Sequence, residues 1–164
     1  MLKKAMSVLL IFSLLTVLNS CSREKRISFS ELIKRMNENG ITNELHMRDA
    51  FFSDGEWFLF IKHENEDKLI LTAAENADSK YIEKASVSVI NDEKGETAQE
   101  FISLCEALTA SFTFDIDKKE SLEQTGLYDK GMLFSESTSF YDEGRFSFSF
   151  FNADLGSTLL IEIK

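Results

Sequence analysis

His46 and His63 are the only histidines in the chain, and Asp54-Gly55 lies midway between them. Asp-Gly between two apolar runs signals a two-residue hairpin turn. With that turn, residues whose numbers sum to 109 oppose each other, so His46 faces His63. Opposed Cβ atoms on paired strands lie about 4.5–5.5 Å apart, close enough for two imidazoles to hold one ion. A third ligand is needed, and Glu44 or Glu64 is the local candidate. Two histidines and a carboxylate suit zinc, which would support hydrolysis through an activated water. No ligand motif surrounds the pair, however, and solvated residues at the open end of a hairpin account for it better. No metal and no cofactor are assigned.

Other catalytic sets fail on spacing. Serines are plentiful, but the chain has no Gly-x-Ser-x-Gly elbow, no His-Glu-x-x-His and no glycine-rich phosphate loop. Cys105 lies in mid-stripe on a predicted helix, whereas a reactive thiol needs an exposed, electropositive setting. Residues 91–96, Asn-Asp-Glu-Lys-Gly-Glu, lack the alternating ligands and closing glutamate of a calcium loop. Asp115, Asp117, Asp142 and Glu143 read as turn and cap residues. No catalytic residue is assigned.

The hairpin register also sorts aromatic side chains. Phe52, Trp57, Leu59 and Ile61 share one face; Phe51, Phe58 and Phe60 share the other. One face must meet the helices, and the second half of the chain is expected to cover the other. Left open, Phe51, Phe58 and Phe60 are the best partner-binding candidates, because exposed apolar patches mark interaction sites.

The elements that position these residues follow from periodicity. Residues 28–39 place Phe29, Leu32, Ile33 and Met36 on one helical face. Ser28-x-x-Glu31 is a capping box, Ile27 a staple onto Leu32, and Gly40 a stop. Thr97-x-x-Glu100 opens a second helix with Phe101, Ile102, Cys105, Leu108 and Phe112 inward, and residues 117–124 form a short third. Strands are predicted at 45–52, 57–62, 68–74, 85–90, 132–140, 145–151 and 157–163. Short turns make neighbours antiparallel, so the expected fold is α+β: a meandering antiparallel sheet with two or three helices on one face. Residues 51–57 also align with 140–146 at an offset of 89, as Ser28…Glu31 does with Asp117…Glu120, which raises a duplicated helix-plus-sheet unit.

The N-terminus carries a different signal. Lys3 and Lys4 precede an apolar run over residues 5–18, interrupted only by Ser7, Ser13 and Thr16, and Leu18-Asn19-Ser20-Cys21 closes it. Fourteen residues make about 21 Å of helix, short of the roughly 30 Å hydrocarbon core, which fits a cleaved signal. The Leu-Asn-Ser-Cys stretch resembles the lipobox of bacterial lipoproteins. That resemblance implies cleavage before Cys21, with the thiol carrying a diacylglycerol. The organisation is then a signal peptide at 1–20, an anchor and tether at 21–27 and one α+β domain at 28–164. Six residues reach at most about 20 Å, so the body would ride near the bilayer, outside the cytoplasm, on the cell membrane or outer membrane.

Removing residues 1–20 leaves 16 Lys+Arg against 28 Asp+Glu, a formal charge of −12. A chain this acidic lacks the basic footprint that nucleic acid requires. With Cys21 acylated, Cys105 has no disulfide partner and the core alone must hold the fold. The expected function is that of a non-catalytic envelope binding module, contacting the membrane through its anchor and an envelope protein or small ligand through its sheet. A small metal-dependent or hydrolytic enzyme is the alternative, and a structural or inhibitor-like lipoprotein the third reading.

Overall fold

The computed structural model describes residues 26–64, 66–90, 97–113, 116–129, 137–153 and 156–164, the side chains of 63 and 67 aside. Helix α1 spans Phe29–Glu38. Ser28 is extended, and its Oγ accepts the Glu31 amide at 3.3 Å. The expected capping box is half formed, because the Glu31 carboxylate turns forward and accepts from Arg35 Nε at 2.7 Å. That bond holds the Glu31 carboxyl below its ordinary range. Phe29, Leu32, Ile33 and Met36 are all buried, as their spacing requires.

Helix α2 spans Ala98–Phe112 and buries Phe101, Leu104, Cys105, Leu108 and Phe112. Its expected cap does not form. Thr97 sits at φ −94°, ψ 2°, not the extended geometry from which a side chain reaches back to the first amides. Helix α3, Lys118–Gln124, has the cap its sequence promises: Asp117 Oδ1 accepts the Lys119 and Glu120 amides at 2.9 and 3.2 Å.

Among the described residues, seven strands form one sheet: β1 (Ala50–Ser53), β2 (Glu56–His63), β3 (Glu66–Glu75), β4 (Ile82–Ile90), β5 (Ser137–Glu143), β6 (Phe146–Ala153) and β7 (Gly156–Ile163). The order is β1-β2-β3-β4-β7-β6-β5, every neighbour antiparallel. The fold is α+β, with a meandering sheet and helices on one face. One row of core-facing positions, Leu59, Leu71, Val87, Leu159 and Phe150, crosses five strands, and every member is buried. Helix α1 closes on this face through Phe29, which stacks on Trp57 with centroids 5.1 Å apart and planes 6° apart.

Two glycine positions shape the sheet. Asp54 and Gly55 have φ of 52° and 87°, the doubly positive geometry of a type I′ hairpin turn. At Gly156 a Cβ would lie 1.9 Å from the Val89 carbonyl oxygen, so β7 begins against β4 only because no side chain is there.

The 89-residue offset maps the two edge hairpins onto each other face for face, yet the halves do not superimpose. The first runs inward from one edge as β1-β2-β3, the second from the other as β5-β6-β7. Antiparallel alternation makes β1 and β5 point the same way, and both halves bury the same face. Such arrangements are mirror images, which no rotation relates. The registers differ as well: Phe51 pairs with Phe58, whereas Phe140 pairs with Ser149 instead of Ser147.

Residue 27 fixes where the chain enters. Ile27 is buried, and its carbonyl accepts the Ile82 amide at 2.9 Å. The Gly55 carbonyl accepts the Glu75 amide at 3.2 Å beside it. The N-terminal segment therefore leaves the sheet at the end carrying the Asp54-Gly55 turn. Cys21 and the proposed leader lie outside the described residues. Among those described, no helix is long and apolar enough to cross a membrane.

Candidate interaction surface

Among the described residues, the helices cover one face of the sheet and the other is open. The expectation that the second half of the chain covers Phe51, Phe58 and Phe60 is overturned. That half extends the same sheet through β4–β7 pairing and sends its helices to the opposite side. Phe51 is 48% exposed and Phe60 41%, while Phe58 is half-buried between them. Phe51 stacks on Phe58 with centroids 5.2 Å apart and on Phe60 at 6.0 Å, planes within 15°. The rings thus form an ordered apolar platform.

The strand registers reveal what flanks this platform. Across the open face runs Phe51, Phe58, Thr72, Ser86, Leu160, Ser149 and Phe140. The next row runs Phe60, Ile70, Ser88, Thr158, Phe151 and Thr138. Aromatic clusters stand at both edges, with a hydroxyl stripe between. Phe140, 70% exposed, meets Phe151 edge-on at 6.0 Å. Within the stripe, Thr72 and Ser86 share a hydrogen bond of 2.8 Å, and Ser88 and Thr158 one of 2.9 Å. Sequence reasoning missed Phe140, Phe151, Ile70 and Leu160. The signal was present: Phe148 and Phe150 inward force Phe151 outward, and the cross-strand register then fixes its neighbours.

The histidines do not face each other. The hairpin has the expected register, but pairing stops at Ala50 with Leu59. Residues Met47–Asp49 form a 3₁₀ turn, with His46 at its start accepting the Asp49 amide through its carbonyl. His63 instead pairs with Glu66 on β3. The cause lies in α1. Asn37 donates to the Leu45 carbonyl at 2.8 Å and accepts the Leu45 amide at 2.9 Å, drawing residue 45 away from the strand line. Among the described residues, no three His, Cys, Asp or Glu side chains come together around a metal position. His46 lines two open grooves, one of 540 Å³ against Phe60 and Lys62, the other of 790 Å³ against α1. Neither gathers a nucleophile, a base and an oxyanion donor.

The remaining candidates have structural surroundings. Cys105 is fully buried on α2, and burial, with Glu106 adding to it, pushes its thiol well above the ordinary range. Asp142 donates nothing and accepts from Lys164 Nζ at 2.7 Å, which holds its carboxyl below the ordinary range. Glu143 accepts from Ser121 Oγ at 2.7 Å, tying α3 to β5. Tyr128 donates to Glu106 at 2.8 Å, and burial first, then that bond, raise its phenol. Residues 91–96 and Asp115 lie outside the described residues.

Comparison with known protein families, characterised proteins and solved structures finds no match for this chain.

Proposed function

We propose that the protein is a non-catalytic interaction module of the cell envelope, anchored through an acylated Cys21 and engaging its partner through the open sheet face. One observation carries this reading: Phe51 stacks on both Phe58 and Phe60, with Phe51 and Phe60 exposed and Phe58 half-buried, away from the helices. Fully burying an exposed phenylalanine contributes about 1.5–3 kcal/mol; with Phe51 48% and Phe60 41% exposed, about half of that remains for each to contribute to association. The platform is also rigid, since it stands on paired strands. The anchor reading rests on Lys3, Lys4, the apolar run and Leu18-Asn19-Ser20-Cys21. Two or more acyl chains hold a body stably at a bilayer, and a six-residue tether keeps it there. The hydrolase alternative was built on His46 pairing across from His63, and the hairpin pairing stops at Ala50 with Leu59, so the register it relied on is not formed.

The test is photocrosslinking in intact membranes. Benzoylphenylalanine at position 58 is expected to give a discrete crosslinked species that disappears with Phe51→Ala. No species beyond that given by the same probe at exposed Lys34 on α1 would refute the reading. Mass spectrometry of Cys21 tests the anchor separately, a bare thiol being the contrary result.

A further inference from the structure

We infer that the open face is closed by a second copy of this chain, packed face to face about a twofold axis parallel to β4. The inference rests on the interaction-module reading and names its partner. The face has an internal symmetry that the fold does not require. Strand β4 is central, with three strands on either side. The apolar groups Phe51, Phe58, Phe60 and Ile70 lie on β1, β2 and β3; Phe140, Phe151 and Leu160 lie on β5, β6 and β7. At about 4.8 Å per strand, each cluster centres two strands, about 10 Å, from β4. A half-turn about β4 sets one cluster upon the other and lays Ser86 and Ser88 on their own counterparts.

Three properties of the face fit that occupant. Its size is right: six strand gaps by seven or eight residues give about 700 Å², against about 800 Å² per partner in a stable interface. Its polar stripe is partly self-paired, because Thr72 with Ser86 and Ser88 with Thr158 each share a hydrogen bond, so each of these four hydroxyls keeps one partner on burial. Its charges sit at the rim. The end row holds Glu56, Lys84, Glu162 and Asp142, with Glu56 paired to Lys84 at 3.2 Å and Asp142 to Lys164 beyond β7 at 2.7 Å, and the two middle rows carry no charge. An apolar centre with a polar rim is the ordinary anatomy of an interface.

The chain's entry point selects the axis. A twofold along the strands leaves both copies' Ile27 at the same end of the pair, so both anchors reach one membrane. A twofold across the strands sends them to opposite ends, about 25 Å of sheet apart, and a tether of at most about 20 Å leaves one lipid stranded.

The experiment uses the full, processed chain in its host membrane. Ser88→Cys places a thiol on the axis, where a short bismaleimide is expected to give a species of twice the monomer mass. Lys34→Cys on α1 should stay monomeric. Phe140→Ala and Phe60→Ala, each added to Ser88→Cys, are both expected to lower the yield at least five-fold, although they lie at opposite edges of the sheet. Phe140 is 70% exposed, so its loss leaves the fold and the melting temperature unchanged. Ser88→Cys yielding no more dimer than Lys34→Cys would overturn the inference, as would a yield indifferent to Phe140→Ala. If the probe at position 58 then captures a different protein, the interaction module stands and only the identity of its partner falls. If neither probe captures anything, both fall.

Discussion

Phe148→Ala and Phe60→Ala remove the same side chain from opposite faces of one sheet, and the structure assigns them different costs. Phe148 is fully buried among helix and strand side chains. Its truncation loses the transfer energy of the ring and leaves a cavity, together about 3–5 kcal/mol. Phe60 is 41% exposed and lies against its neighbours Phe51 and Ile70. Water fills the space it leaves, so only lost contact counts, about 1 kcal/mol with the stacking included. Against a total stability of about 5–15 kcal/mol, the first change is severe and the second mild. At about 3–4 °C per kcal/mol for a body of this size, melting falls by about 9–20 °C for Phe148→Ala and about 3–4 °C for Phe60→Ala. The assay is urea and thermal unfolding in dilute, monomeric solution. Trp57, the single tryptophan, reports through its stack on Phe29. Equal losses for the two variants would refute the reasoning, because they would mean that the aromatic platform is covered within the chain.

Three further outcomes follow from the packing. Gly156→Ala drives a methyl to 1.9 Å from the Val89 carbonyl oxygen, and the forced separation of β4 from β7 should cost about 1–3 kcal/mol, read as a lower urea midpoint. The Cys105 thiol, buried and raised in pKa, should resist a thiol reagent at pH 8 in the folded protein and react at once in denaturant. Asp142 has a carboxyl depressed by Lys164, so its contribution is present above the unfolded carboxyl range near about pH 3.9 and is lost as pH falls through the lower folded value. Lys164→Met should therefore be less stable than the parent at neutral pH, and the difference should vanish in acid.

Much of this fold is written locally. Phe29, Leu32, Ile33 and Met36 name the buried face of α1 by spacing alone, and Asp54-Gly55 names the turn and hence the register of β1 with β2. What stayed hidden depends on contacts distant in sequence. Whether a second half covers a sheet or lengthens it turns on the β4–β7 pairing, in which Ser88 meets Thr158 across seventy residues; alternation along each strand reads the same in both cases. That the hairpin pairing stops before His46 meets His63 was equally illegible, because Asn37 pairs instead with the backbone of Leu45. An asparagine on a helix carries no mark of the loop it will hold. The second aromatic cluster was readable in principle, since Phe150 and Phe151 are adjacent and only one of them can face the core.

The central claim is that the helix-free face is occupied in the envelope. Hydroxyl-radical footprinting of Phe51, Phe58 and Phe60 tests it most directly, comparing intact membranes with the same chain released and diluted. The account predicts ready oxidation of Phe51 and Phe60 after release and strong protection in the membrane, with buried Phe148 unreactive in both. Equal oxidation of Phe51 and Phe60 in the two states would contradict it.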